Sequence, residues 1–294
     1  MFKTAIEKVG EYTRAIHFIS NVYGEKEVLP GAASLFFIND DGAAVTCKHI
    51  SSLIRQAENI SNKYASFQNE KNALIKSGSY NKKIKELKQR YGYDNPDISC
   101  QVKYQFVDCV DFNSLDIIEH PVYDLAILKM KNYTGSHYRS HAVFAKDSKQ
   151  LQPGLFLCRL GYPFPEFSNF NYDGTNETIN WTSDPIKIVR FPLEGMMTRH
   201  LADTNGKVYG IEISTPGLRG QSGGPLFNSD GVVFGMQSMT KHLHLGFDMR
   251  NHEIISGGKK IKVTNQPFLH VGQCMHVDII KEFLQSNNID FFEA

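Results

Sequence analysis

The sequence predicts an all-β barrel or sandwich interrupted by one helical insertion, and three observations carry that prediction. Short apolar, partly β-branched runs bounded by Gly, Pro or Asn recur through most of the chain. Between residues 51 and 99 this texture gives way to Lys, Asn, Gln and Glu, with apolar residues three and four apart as on a helix. At 294 residues, 41% of them hydrophobic, the chain is long enough to bury a large core.

Ala5, Val9, Tyr12 and Ile16 share a helical spacing, so the stretch to about Tyr23 begins as an N-terminal helix and turns extended near AIHFI. SLFFI and AAVTC then read as a strand pair, joined by NDDG, whose Asp41-Gly42 is a hairpin-turn signal. His49 lies just past the second of these strands. Ser51 to Tyr91 reads as two helices broken at SGS, with nine basic against three acidic residues, a net +6. Strand texture returns in QVKYQFVDCV, DLAILKM, GLFLCRLGYP, PIKIVRFPLEGMM, VYGIEIS, VVFGMQSM and CMHV. Ile279, Ile280, Phe283 and Leu284 then share one face of a C-terminal closing helix.

The whole-chain charge of +1 gives no field toward nucleic acid or an anionic membrane. Charged residues break up the apolar residues of the N-terminus, and no later run reaches the roughly 18 apolar residues of a membrane span. Five widely spaced cysteines without a CxxC pair suggest neither a zinc site nor a disulfide framework. A protein of a reducing, cytoplasmic compartment is expected, with no membrane partner.

Ser222 stands in GQSGGPLF, directly ahead of an apolar strand. Glycines on both sides supply turn geometry, with the serine as a small polar filler, or they bend the backbone so that the Gly220 and Ser222 amides converge on one point. A serine nucleophile needs an imidazole to take its proton and a third group to orient that imidazole. His49 and Asp124 are the candidates, with Asp116 in NSLDIIEH as the rival acid.

The run GQSGGPLF resembles the nucleophile motif of trypsin-like (chymotrypsin-fold) serine peptidases. AAVTCKHI resembles the histidine motif of that family and YDLAILKM its aspartate motif, in the order the family requires. PGLFLCRLGYP resembles the opening of the second barrel in the HtrA-like branch, GVVFGMQSM the strand after the nucleophile, and VDIIKEFL the closing helix. The resemblance implies two six-stranded antiparallel β-barrels in one peptidase domain, residues 1–145 with the insertion at 51–99 and residues 146–294, with the site in the cleft between them.

It also implies roles. His49, Asp124 and Ser222 form a triad for peptide-bond hydrolysis, and the Gly220 and Ser222 amides hold the oxyanion. Pro216 is the pocket floor and offers no carboxylate to Lys or Arg. Ser238 supports the aspartate, with Met239 and Thr240 beside the substrate backbone. An uncharged residue at the cleaved position is expected, from a protein or peptide substrate, and no metal or organic cofactor is needed.

The chain departs from the family in its basic insertion, its lack of a cysteine framework and the absence of a PDZ domain after the barrel. The insertion leaves from beside His49 and is expected over or next to the cleft, where an activating partner would act on a latent enzyme. The rival account is a catalytically silent scaffold that binds protein or nucleic acid through the insertion. The insertion carries no RNA-binding aromatic motif, so nucleic acid is not expected.

Overall fold

The computed structural model describes residues 1–75, 80–95, 97–133 and 135–294. Helix α1 (Lys3–Gly10) leads into an antiparallel sheet of β1 (Thr13–Val22), β2 (Val28–Phe37), β3 (Ala43–Thr46), β4 (Ser99–Val107), β5 (Ser114–Glu119) and β6 (Ala126–Lys131). Their spatial order is β4-β1-β2-β3-β6-β5, so neighbours in sequence are mostly neighbours in space. Between β3 and β4 the chain runs through α2 (Lys48–Ile75) and α3 (Tyr80–Tyr91). The SGS break at residues 77–79 lies outside the described residues.

The second half holds β7 (Val143–Phe144), β8 (Phe156–Gly161), β9 (Phe170–Asp173), β10 (Thr178–Trp181), β11 (Phe191–Ala202), β12 (Val208–Ile213), β13 (Pro225–Phe227), β14 (Val233–His244), β15 (Met249–Ser256), β16 (Lys259–Asn265) and β17 (Phe268–His276). Helix α4 (Val277–Ser286) and the short β18 (Phe292–Glu293) close the chain. Six strands run β13-β8-β11-β12-β17-β14, and β14 returns to pair with β13, which closes the barrel. The first unit is a curled six-stranded sheet whose outer strands β4 and β5 do not pair with each other among the described residues. Two β units of the chymotrypsin kind are therefore present, the C-terminal one fully closed.

The cores are built from strands that are buried on both faces over much of their length. Leu35, Phe37, Val45, Ile127 and Leu128 are fully buried in the first unit, and Leu160, Met197, Ile211, Leu226 and Phe234 are buried in the second. Helix α1 reaches across to the second unit, where the Phe2 and Phe227 rings meet edge to face at 6.3 Å. Strand β7 pairs in parallel with β14, so residues 143 and 144 belong to the second sheet although they precede residue 146. Helix α4 starts on a His276 side chain that accepts from the Asp278 amide, and it buries Ile279, Ile280, Phe283 and Leu284. All five cysteines are buried free thiols.

Three elements depart from the sequence reading. Strand texture in PIKIVRF does not pair before Phe191, where β11 begins. Two hairpins, β9–β10 and β15–β16, form separate two-stranded sheets that no predicted run covered. Helix α2 starts at Lys48 and follows β4 outward, with the Ser61 hydroxyl on the Val102 carbonyl at 3.0 Å. Its far part meets Glu177 on the β9–β10 turn, which accepts from Tyr64 at 3.2 Å and Lys71 at 2.8 Å. The body of the insertion thus lies along the first sheet, where Tyr64 and Phe67 bury themselves against Leu87, Tyr93 and Cys100, while its first turn stays beside Asp124.

Candidate active site

His49 sits in the first turn of α2, where a backbone N–H has no partner four residues back. That amide donates to Asp124 Oδ1 at 3.0 Å, and His49 Nδ1 lies 2.9 Å from Oδ2 and 3.1 Å from Oδ1. Asp124, just ahead of β6, also accepts from the Ser238 hydroxyl at 2.5 Å. Burial alone pushes this carboxyl upward, but the bonds from His49 and Ser238 outweigh it and bring its pKa down to about 2. The carboxylate is therefore ionised near neutrality, which puts the imidazole proton on Nδ1 and leaves Nε2 as the basic nitrogen. With half of the His49 side chain exposed, that nitrogen can reach a substrate. Asp116, the rival acid, lies on β5 and pairs instead with Lys131.

The serine loop is clamped between the two β units. Gly220 has φ +100°, and a Cβ there would lie 2.3 Å from the Tyr162 carbonyl oxygen. Gly223 has φ +86° and its Cβ would lie 2.0 Å from the Ser34 carbonyl oxygen. These two positions admit only glycine. Ser34 of β2 holds the loop directly: its hydroxyl donates to the Gly220 carbonyl at 2.7 Å and its amide to the Ser222 carbonyl at 2.9 Å. The buried Gln221 side chain ties the loop to the Leu218 amide at 3.0 Å and the Phe191 carbonyl at 3.2 Å. With both carbonyls engaged, the Gly220 and Ser222 amides have no acceptor among the described residues. Two such free N–H groups beside a hydroxyl can stabilise an oxyanion.

Ser238 links the serine to the His–Asp pair, since the Ser222 hydroxyl donates to the Ser238 carbonyl at 3.3 Å. Among the described residues no hydrogen bond joins Ser222 to His49. A hollow of about 480 Å³ opens beside Ser222, and Pro216, Ser238, Met239 and Thr240 all line it. The Thr240 hydroxyl is taken up by the Gly217 carbonyl at 2.6 Å. A larger hollow of about 870 Å³ between Arg14, Tyr162 and Arg190 touches none of these residues. The sequence reading missed Ser34, a lone serine at the head of an apolar run, and the pocket residues Arg219, Gln237, His242 and His270.

Cys47, His49 and Asp124 bring possible metal-ligand atoms within 4.8 Å of one another. A metal would need Cys47 as a thiolate. Burial and the neighbouring Asp124 instead push that thiol well above its usual range, and it donates to the Gln237 carbonyl at 3.3 Å. The set fits a packed thiol beside a His–Asp pair better than a metal centre.

A family model described as a trypsin-like peptidase domain matches residues 33–236, a span that contains His49, Asp124, Pro216, Gly220 and Ser222. No curated protein matches the chain. Among solved structures it is similar to an HtrA-type protease AlgW with decapeptide, at 12% identity and a TM-score of 0.49, over 97% of this chain and 67% of that one.

Proposed function

The chain belongs to the trypsin-like peptidase family, and from that premise we propose that it is a serine endopeptidase with Ser222 as nucleophile, His49 as general base and Asp124 as the group that orients His49. The observation that carries this reading is the Asp124 carboxylate, ionised and shared between His49 and Ser238, beside a serine loop with two free amides.

In the reaction the Ser222 hydroxyl turns from the Ser238 carbonyl to His49 Nε2, which takes its proton as the Oγ–C bond forms. The oxyanion is held by the Gly220 and Ser222 amides. His49 then passes the proton to the leaving amine as the C–N bond breaks, and water reverses the steps to release the acid. Asp124 keeps the proton on Nδ1 and offsets the imidazolium charge.

The buried free cysteines support action in a reducing, cytoplasmic compartment. We take residues 1–294 as one peptidase domain, because α1 and β7 each join the other half of the chain. The Ser222 hydroxyl on the Ser238 carbonyl also favours a second reading, a latent enzyme whose serine engages His49 only when a partner or substrate binds. The link from α2 to Glu177 is one route for such control.

Hydrolysis of an unstructured protein substrate tests the proposal. Cleavage by the wild type that Ser222→Ala abolishes supports it, and cleavage that survives Ser222→Ala in a clean preparation overturns it.

A further inference from the structure

The hollow beside Ser222 has a one-sided charge lining. Three ionisable side chains line it, Arg219, His242 and His270, and no carboxylate does among the described residues. All three are basic types. Arg219 is exposed. His242 and His270 face each other across β14 and β17, with their Nδ1 atoms 2.5 Å apart. At that distance one Nδ1 must carry a proton and the other must accept it. The accepting ring is then protonated on Nε2, so the pair always keeps at least one Nε2–H donor for a ligand.

A second guanidinium stands behind the wall. Arg159 is fully buried, and its guanidinium bonds only to neutral acceptors: Gln237 Oε1 at 2.7 Å, the Thr215 carbonyl at 3.1 Å and the Thr215 hydroxyl at 2.5 Å. Its Nε has no partner among the described residues. Gln237 itself lines the hollow. On the other side, Gly272 leaves room for the guanidinium, since a Cβ there would come within 2.2 Å of Nη1. A buried cation without a counter-ion is costly, and its field extends through a low-dielectric wall. Asp124 lies beyond Ser238 with its oxygens already engaged by His49 and Ser238.

A pocket with neutral walls would suit a small apolar side chain, as Pro216 at its floor suggests. The two guanidinium groups and the Nε2–H donor of the histidine pair instead disfavour Lys and Arg, leave apolar side chains without gain and favour a carboxylate. We infer that this hollow is a specificity pocket for an acidic side chain, so that the enzyme cuts after Glu or Asp. The inference rests on the peptidase reading above, and it replaces the uncharged preference expected from the sequence.

The test uses three peptidyl diphenyl phosphonates that differ only in the side chain next to phosphorus, Glu, Leu or Lys, beside a fluorophosphonate with no such side chain. The expected result is labelling of Ser222 by the Glu probe about tenfold or more faster than by the Leu and Lys probes. That ratio, normalised to the fluorophosphonate rate of each protein, should fall toward one in Arg219→Glu and in His242→Gln. Both side chains are exposed, so neither substitution disturbs the core. Fluorophosphonate labelling with a Glu probe no faster than the Leu probe would overturn the pocket assignment alone. No fluorophosphonate labelling of the folded protein, both alone and with an unstructured protein substrate present, would overturn the peptidase reading and the assignment with it.

Discussion

Ser34, in the first β unit, donates its hydroxyl to the carbonyl of Gly220 in the second at 2.7 Å, and its amide holds the Ser222 carbonyl at 2.9 Å. Two oxygens of the serine loop are thereby turned toward β2, and the amides of Gly220 and Ser222 are left without acceptors among the described residues. The proposed oxyanion site is thus oriented by a residue of the opposite unit.

Ser34→Ala should therefore lower kcat by about tenfold with little change in KM, because it loosens the oxyanion donors and not the pocket. A fall in KM-dependent binding with kcat intact would show that Ser34 shapes the pocket instead. Thermal unfolding of the same variant separates either result from loss of fold.

Asp124→Asn should cut kcat by about 10³ to 10⁴, since a neutral amide no longer fixes the Nδ1–H form of His49. The pKa of the native carboxyl is lowered from 3.8 to about 2, so this group adds stability above pH 3.8 and loses it as pH falls through about 2. An acid limb in the activity profile at higher pH consequently belongs to another group, which a pH–rate series on the wild type would show.

His17 provides a pH-dependent stability term of the opposite chemical kind. The ring is 3% exposed and stacks on Phe167 at 3.9 Å between centroids. Burial lowers its pKa from 6.5 to about 4. The folded protein keeps it neutral while the unfolded chain binds a proton, so stability is full above pH 6.5, declines between 6.5 and 4, and levels off below. The loss amounts to at most about 3 kcal/mol. Urea unfolding across this range should give a shallower decline for His17→Phe, and an unchanged slope would assign the effect elsewhere.

Glu177→Ala removes the acceptor shared by Tyr64 and Lys71 and frees the far part of α2 from the β9–β10 turn. If the insertion governs the site, fluorophosphonate labelling of Ser222 should change by about threefold or more. An unchanged rate in a folded variant would remove this link from any regulatory role.

The site was legible in the sequence where chemistry and local geometry coincide. Asp41-Gly42 marked the β2–β3 turn, where Gly42 has φ +72°, and GQSGG marked a loop whose Gly220 and Gly223 have positive φ. The His49 and Asp124 motifs stand next to strands, and the fold brings the two side chains within 2.9 Å of each other. Features made by distant contact were not legible. Ser34 acquires its role only when β2 meets a loop almost two hundred positions away, and His242 and His270 face each other only through the β14–β17 pairing. The β15–β16 hairpin did leave a signal in the paired Gly257 and Gly258 of its turn, both with positive φ. The course of the insertion depended on Tyr64 and Phe67 finding Tyr93 and Cys100, which helical spacing alone could not specify.

Intact-mass measurement after exposure to a small fluorophosphonate tests the central claim most directly. The account predicts one adduct on the wild type, mapped to Ser222 and abolished by both Ser222→Ala and His49→Ala. An adduct that persists in Ser222→Ala would contradict it, and a folded wild type that takes no adduct would contradict constitutive activity in favour of the latent form.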